Sequence, residues 1–333
     1  MALKIAINGF GRIGRCVARI AASRADVEIV AINDMASIDM MLYLLKNDSV
    51  HGTFSSDIEQ VNENTISIDG QNIRIFSDRD PKKLDFASCG ADMVLECTGV
   101  FLTQESAQVH IDNGVEKVLF SAPAKDKETA TFVMGVNEHL YDGQKIVSNA
   151  SCTTNCLGPV AKVLDDAFGI EKGLMTTIHS YTNDQNILDV KHSKDKRRAR
   201  AGAINMIPTT TGAAKAIGLV LPQLLGKLHG QSVRVPTPNV SMVDLNVVVG
   251  KKTTKEEVTD VFNKAAETNL KGLLLMDKDM RVSQDFVGCE YSSIVAEDLT
   301  QVIDGDMVKV MAWYDNEWGY SMRLLDMAVH ISK

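Results

Sequence analysis

The opening segment constrains this chain most. Leu3 to Asn8 is a short β-rich run, and Gly9-Phe10-Gly11-Arg12-Ile13-Gly14 has the GxGxxG spacing. Arg12 to Ser23 reads as an amphipathic helix and Val27 to Asn33 as a second apolar strand. A strand, helix and strand in that order form a βαβ unit, which requires a parallel sheet with helices on its faces. The first glycine allows a tight turn, the second lets the backbone approach a pyrophosphate, and the third permits close packing of helix on strand. Glycines so spaced also occur in plain turns. The order of strand, loop, helix and then Asp34, at the end of the second strand, selects the dinucleotide reading. A carboxylate there hydrogen-bonds the adenosine ribose hydroxyls and repels a 2′-phosphate, which favours NAD over NADP. Asp34 reads as a mere strand-end turn residue only if the glycines are structural too.

The alternation continues. Ile66 to Ile68 and Ile73 to Phe76 flank Asp69-Gly70 as a hairpin, and strands are expected at Met93 to Glu96, Val118 to Ser121 and Ile146 to Ser148, with a helix between Thr103 and Asn113. The texture changes after Ala150. A helix from Cys152 to Phe168 closed by Gly169 is followed by long alternating runs at Leu174 to His179, Val240 to Val249 and Met307 to Tyr314. Thr254 and Glu257 make a capping box for a helix ending near Asn269. Strands joined without intervening helices indicate a mixed, largely antiparallel sheet covered by helices on one face. The expected fold class is therefore α/β: a Rossmann doubly wound parallel sheet over residues 1–150, an α+β catalytic domain over 151–316, and a C-terminal helix over 317–333 packing back on the first domain.

Composition narrows the function classes. A chain of 333 residues is long for one domain, and 45% hydrophobic with 23% charged residues suits sizeable cores in a soluble protein. No apolar run is long enough for a membrane span, and no secretory signal is legible. Six cysteines scattered over this length fit a reducing cytoplasm better than a disulfide framework. The net charge of −8 argues against nucleic acid as a main partner.

Cys152 lies in Ala150-Ser151-Cys152-Thr153-Thr154-Asn155-Cys156, where a strand gives way to a helix. Unpaired backbone N–H groups and the macrodipole at such a position favour thiolate over thiol. A cysteine nucleophile beside a hydride carrier suggests aldehyde oxidation through a thioester. His179, at the end of an apolar strand, is the candidate base, holding thiolate near neutral pH and taking the hydroxyl proton of a hemithioacetal. A histidine at a strand end is also an ordinary structural residue, and both readings stand. Cys156 shares a helix face with Cys152 and reads as a packing residue; no second ligand pair follows, so no metal is expected. The basic run from Lys191 to Arg200 is a solvated loop or part of an anion site. Thr209-Thr210-Thr211-Gly212 at a helix start and Arg234 tilt it toward a phosphate monoester.

NGFGRIGR, ASCTTNC, HSYTND, RRARAG, PTTTGAAKA, RVPTPNVS and WYDNEWGYS, spread nearly end to end, resemble the phosphorylating glyceraldehyde-3-phosphate dehydrogenase family of bacterial type. The resemblance implies a homotetramer whose S-loop, residues 181–205 here, packs at subunit interfaces near the cofactor. It implies oxidation of D-glyceraldehyde 3-phosphate with NAD and inorganic phosphate to 1,3-bisphosphoglycerate, in glycolysis and gluconeogenesis. Cys152 would then carry the hemithioacetal and thioester, and His179 would be the base. Thr182 and Arg234 resemble ligands of the substrate phosphate. Ser151, Thr153, Thr211 and Gly212 resemble those of the attacking phosphate, with Arg198 shared. Beside the fingerprint glycines Gly9, Gly11 and Gly14, the residues Arg12, Ile13, Asp34, Arg79, Ser121 and Asn316 match cofactor contacts, Asn316 orienting the carboxamide.

One departure bears on the cofactor. Many NAD-specific members carry Leu-Pro where this chain has Val190-Lys191 in a loop one residue longer. A lysine there can neutralise a 2′-phosphate, so NAD is the expected cofactor and NADP a weaker, secondary one. Two other readings share these residues: a relative such as erythrose-4-phosphate dehydrogenase that hydrolyses its thioester, and a nucleotide-binding sensor or adhesin using Cys152 as an oxidation switch.

Overall fold

The computed structural model describes residues 2–193 and 195–333; Lys194, in the basic run, lies outside them. The chain divides into two compact units. One comprises the residues up to Phe132 with Glu138–Ser151 and Ser321–Lys333; the other comprises Val133–Asn137 and Cys152–Tyr320.

The first unit is built on a nine-stranded sheet. Its order runs Ala130–Thr131, Ile146–Ser148, Lys117–Phe120, Met93–Glu96, Leu3–Asn8, Val27–Asn33, Gln71–Phe76, Thr65–Ile68 and Ile58–Asn62. Every pairing is parallel except the last two: Gln71–Phe76 with Thr65–Ile68 is the expected hairpin, and Ile58–Asn62 adds a further antiparallel strand that the sequence reading lacks. Asp69 (φ +48°) and Gly70 (φ +82°) both take the left-handed conformation that a tight hairpin turn demands. The leading strand sits between Val27–Asn33 and Met93–Glu96, so the strand order switches at the glycine loop that follows it, where open parallel sheets bind ligands. Helix Gln104–Asp112 is capped by Thr103, whose hydroxyl accepts from the Ser106 amide. Helix Ile38–Lys46, absent from the sequence reading, is apolar around most of its circumference, which hides a 3.6-residue stripe; Ser37 caps it. From Ser321 on, the last helix, Trp318–Ile331, belongs to this unit, where Arg24 pairs with Asp326 at 2.6 Å.

Across the carboxyl ends of three adjacent strands runs a chain of buried polar groups. Asn8 Nδ2 donates to Glu96 at 2.6 Å, and Asn33 Nδ2 donates to Asn8 Oδ1 at 2.8 Å and to the Asp78 carbonyl at 3.0 Å. Glu96 also accepts from the Thr98 amide and hydroxyl, so it fixes the peptide against which Gly9 packs.

The second unit contains an eight-stranded mixed sheet in the order Ile207–Thr210, Leu228–Val235, Ile170–Ser180, Ser241–Val249, Met307–Tyr314, Ser293–Ala296 and Leu274–Asp277, with Gln301–Ile303 paired to Met307–Tyr314. Its central pairings are antiparallel, but Leu228–Val235 runs parallel to Ile170–Ser180. Helix Cys152–Phe168 ends at Gly169 (φ +69°), and Lys255–Glu267 begins with the capping box of Thr254 and Glu257. Among the described residues, no helix is long and apolar enough to cross a membrane.

Behind Glu96 lies His110, wholly buried, with Nε2 at 3.9 Å from the carboxylate and neither ring nitrogen hydrogen-bonded. Burial pushes Glu96 up to about 7 and His110 down to about 4. Between the ordinary carboxylate and imidazole values the folded pair is a neutral acid beside a neutral imidazole, while the unfolded chain holds a carboxylate and an imidazolium. Each state binds one proton, so the pair adds no pH slope to stability. In His110→Gln the folded state alone binds that proton. Relative to the parent, the variant should therefore lose stability as pH rises from about 4 to 6.5. The loss should reach about 3 kcal/mol. Urea midpoints at pH 5 and pH 7 measure it, and parallel profiles for the two proteins would contradict it.

Candidate active site

Cys152 is the first residue of helix Cys152–Phe168. Ala150, two residues earlier, is buried with φ +56°, a conformation that a residue with a Cβ holds only when its surroundings fix it. The backbone amide of Ala150 donates to Ser148 Oγ at 3.0 Å, and that hydroxyl donates to the Ala122 carbonyl. The turn that leads to the thiol is therefore locked by local bonds.

His179 arrives from the strand Ile170–Ser180. Its Nε2 lies 3.6 Å from Cys152 Sγ, a contact within reach for a sulfur hydrogen bond. In the parallel pairing of Ile170–Ser180 with Leu228–Val235, His179 and Arg234 are direct register partners, and this sets the guanidinium beside the imidazole. Arg234 NH1 lies 2.7 Å from His179 Nδ1 and donates to the Ser180 carbonyl at 3.0 Å, while Nδ1 is itself 2.7 Å from that carbonyl. Nδ1 thus either donates to Ser180 or accepts from Arg234, and only the first choice leaves an unprotonated Nε2 facing the sulfur. Among the described residues, no carboxylate lies within ion-pair distance of Arg234, and its Nε is buried without a partner.

The ionisation of this pair differs from the sequence expectation. Burial pushes the Cys152 thiol above its ordinary value, outweighing the Arg234 charge and the Thr153 hydrogen bonds that pull it down. Burial also drives His179 down to about 3, with the Arg234 charge adding to the effect. A helix N-terminus favours thiolate, but here desolvation is the larger influence. Thiol and imidazole are both neutral, and the imidazole is a base that acid does not readily silence.

Other predicted residues cluster around this centre. The Thr153 hydroxyl is turned to Tyr314 (2.8 Å), which also meets Thr177 at 2.9 Å and sets its ring edge-on to His179. Asn316 is buried beside Ser180 and Ser241. Thr182 caps the next turn, its amide donating to Gln185. Arg198 is held by Thr209 Oγ1 (2.8 Å), the Thr210 carbonyl (3.1 Å) and Asp184 (2.7 Å), next to Thr211 and Gly212. Thr211 Oγ1 accepts from the Ala213 amide, and Gly212 is the N-cap of helix Ala213–Val220, with open space where a Cβ would stand. Ser151 precedes Cys152 and is half-buried. Cys156 is buried against the carbonyls of Ala312 and Trp313, and burial pushes its thiol far up. Sequence reasoning missed Tyr314, Ser180 and Ser241. Only the first carried a signal, as an inward position in the alternating run Met307–Tyr314.

In the first unit a cavity of about 480 Å³ is lined by Gly9, Gly11, Asp34 and Arg79, with Asn8 and Thr98 among its other residues. Asp34 accepts from the Phe10 amide at 2.7 Å and the Ala36 amide at 2.9 Å, so it ties the glycine loop to the end of the second strand. Arg12, the first residue of helix Arg12–Ala21, forms a two-pronged pair with Asp48, and Ile13 follows it in the first turn. The neighbouring guanidinium and two backbone N–H groups hold Asp48 at about 2 against burial. Ser121 Oγ donates to the Glu96 carbonyl at the end of the neighbouring strand.

Comparison with known proteins adds the following. Residues 3–104 match the family model "Glyceraldehyde 3-phosphate dehydrogenase, NAD binding domain", and residues 151–316 match "Glyceraldehyde 3-phosphate dehydrogenase, C-terminal domain". The chain is 53% identical over 331 residues, covering 99% of itself and 98% of the relative, to glyceraldehyde-3-phosphate dehydrogenase 1 of Bacillus cereus. It is 52% identical over 334 residues, 100% of this chain and 99% of the relative, to glyceraldehyde-3-phosphate dehydrogenase of Geobacillus stearothermophilus. A chloroplastic relative, glyceraldehyde-3-phosphate dehydrogenase B of Pisum sativum, is 53% identical over 331 residues, 98% of this chain and 73% of the relative.

The three fingerprint glycines separate by what a methyl group would meet. At Gly14 it would stand 2.3 Å from the Gly9 carbonyl, and at Gly9 (φ +97°) 2.8 Å from the Thr98 amide, whereas at Gly11 it meets nothing within 4 Å. Gly14→Ala should lower the stability of the protein by about 2 kcal/mol or more. Gly11→Ala should leave stability within about 0.5 kcal/mol but weaken NAD about tenfold by filling the space a pyrophosphate needs. Urea denaturation and NAD titration of both variants test this; equal effects of the two on stability would refute it.

Proposed function

Since this chain belongs to the glyceraldehyde-3-phosphate dehydrogenase family, we propose that Cys152 and His179 are its catalytic residues and that Arg234 receives the substrate phosphate. The protein is an NAD-dependent oxidoreductase of glycolysis that acts on glyceraldehyde 3-phosphate. The observation that carries the assignment of roles is the Cys152–His179 contact at a helix N-terminus beside a guanidinium that lacks a carboxylate.

The substrate's phosphate supplies the missing anion. As it takes up Arg234, His179 Nδ1 is freed to donate to the Ser180 carbonyl, and Nε2 becomes the acceptor. Nε2 takes the thiol proton as sulfur adds to the aldehyde carbon, then returns it to the carbonyl oxygen as the C=O π bond opens, which gives the C–S bond and hydroxyl of a hemithioacetal and leaves the imidazole neutral. NAD, when bound, would supply the acceptor for the hydride that leaves this carbon. His179 holds the hydroxyl proton that leaves with it, and a thioester remains on Cys152. Inorganic phosphate attacks the thioester carbon, the C–S bond breaks, and the product is 1,3-bisphosphoglycerate. Oxyanion charge falls on the Cys152 backbone N–H and on His179. Thr182 joins Arg234 at the substrate phosphate. Ser151, Thr153, Thr211 and Gly212, with Arg198, form the attacking-phosphate site; Thr153 contributes there through its backbone, since its hydroxyl meets Tyr314.

On this reading residues 1–150 form the NAD-binding domain and 151–316 the catalytic domain, with 317–333 returning to the first. Gly9, Gly11, Gly14, Arg12, Ile13, Asp34, Arg79, Ser121 and Asn316 hold NAD, and the open space at Gly11 supports a pyrophosphate there. NADP is a secondary cofactor, admitted by Lys191 and disfavoured by Asp34. The protein works in the cytoplasm as a homotetramer. Ile187, Leu188 and Ile204 of the S-loop, with Met206 just after it, are each at least three-quarters exposed, an apolar patch that a second copy would cover.

Absorbance at the NADH band with glyceraldehyde 3-phosphate, run with NAD or NADP and with or without inorganic phosphate, tests substrate, cofactor and acceptor together. Turnover should require phosphate, and kcat/KM should be higher with NAD. Phosphate-independent turnover would overturn the acceptor assignment, and equal cofactor efficiencies would overturn the role of Asp34. Cys152→Ser should abolish turnover, and His179→Asn should lower kcat by about 10²–10⁴ while leaving NAD affinity near that of the parent.

A further inference from the structure

Ser180 and Ser241 hold one side of Asn316, and the proposed chemistry gives neither hydroxyl a task. Ser180 Oγ lies 2.7 Å and Ser241 Oγ 2.8 Å from Asn316 Oδ1. Both are spacings typical of O–H···O bonds and shorter than typical N–H···O bonds, so the amide oxygen faces the serines. The Ser180 amide donates to Ser241 Oγ at 3.0 Å and the two hydroxyl oxygens stand 3.2 Å apart, so both serines and the amide oxygen belong to one connected group. Ser180, Ser241 and Asn316 are all buried. Among the described residues no hydrogen bond is made by Asn316 Nδ2, so its two donors are left for something else. Val240, immediately before Ser241, is a buried β-branched residue at φ +67°, the kind of strain retained where a neighbour's position matters.

We propose that Ser180 and Ser241 are positioning residues that lock the rotation of the Asn316 amide, so that it presents N–H donors and not a carbonyl to the nicotinamide carboxamide. This rests on the reading of Asn316 as a cofactor ligand and extends it to how the ring is turned. A carboxamide has an oxygen and an NH₂ of nearly equal size, and a freely rotating asparagine grips either end. A locked donor grips only the oxygen, which admits one orientation of the ring and offers one face to the hydride. Ser180 then serves two groups, since its carbonyl accepts from Arg234 while its hydroxyl holds Asn316.

The test compares binding of NAD with binding of ADP-ribose, which lacks the nicotinamide, to the full-length chain, together with transferred NOEs between the nicotinamide and ribose protons of bound NAD. In Ser180→Ala/Ser241→Ala, ADP-ribose affinity should stay unchanged, NAD should weaken about tenfold, and the NOEs should report both ring orientations where the parent shows one. Asn316→Ala should weaken NAD at least as much. If Asn316→Ala leaves the ratio of NAD to ADP-ribose affinity unchanged, the reading of Asn316 itself fails. If that variant weakens NAD but the double serine variant keeps the parent's affinity and its single orientation, the lock is wrong and the reading of Asn316 survives. Should the double variant lose ADP-ribose binding through damage to the fold, Ser241→Ala alone, still expected to show mixed orientations, decides by the same criteria.

Discussion

A guanidinium drawn out of water and given no carboxylate is the constraint on which the catalytic centre depends. Among the described residues Arg234 bonds only to a neutral carbonyl and a ring nitrogen, and burial lowers its own pKa. A unit charge at about 4 Å acts with about 4 kcal/mol at the effective dielectric of a protein surface, enough to decide the protonation of whatever adjoins it. It adds to the burial that keeps His179 from becoming an imidazolium, and it pulls on the Cys152 thiol, though less strongly than burial opposes it. On the proposed assignment, an anionic group arriving at Arg234 would remove the electrostatic defect and release Nδ1 in one event, coupling recognition of the substrate to preparation of the base.

That arrangement follows from backbone register. His179 and Arg234 stand side by side because two strands run parallel with a particular alignment; a slip of one residue would turn Arg234 to the other face of the sheet. Ser241 and Tyr314 are likewise register partners, which brings a serine of the Asn316 lock and the tyrosine behind the imidazole to the same end of the sheet. The strained turn at Ala150 delivers the thiol to that end from a helix. Three kinds of backbone constraint, a parallel register, an antiparallel register and a left-handed turn, therefore set the positions of side chains that themselves make few bonds.

Much of this was legible in the sequence where the signal is local. The βαβ opening, the helix Cys152–Phe168 and the strand Met307–Tyr314 stand out because periodicity and capping residues are properties of neighbours in the chain. Helix Ile38–Lys46 was missed because its residues are apolar on nearly every face. Cys152 and His179 were separately recognisable as candidate nucleophile and candidate base, but the placing of Arg234 on the imidazole depends on register between strands far apart in sequence. The thiol's ionisation was misjudged for a related reason. Helix position can be read from sequence, whereas the desolvation that outweighs it is a property of the packed core.

Arg198 and Arg234 make an instructive contrast. Arg198 is bound to Asp184 and lies 3.8 Å from Asp195, both carboxylates that neighbouring positive groups and hydrogen bonds keep below their ordinary values. Its charge is largely met before any ligand comes, so an anion near it competes with carboxylates already in place. Arg234 has no such competitor. On the assignment proposed for the two anion positions, the group that must stay through every step falls to the uncompensated arginine. The phosphate that must enter, react and leave as part of the product falls to the one already paired. Tight binding is useful at the first position and a hindrance at the second, since binding energy retained in the ground state raises the barrier to the next step.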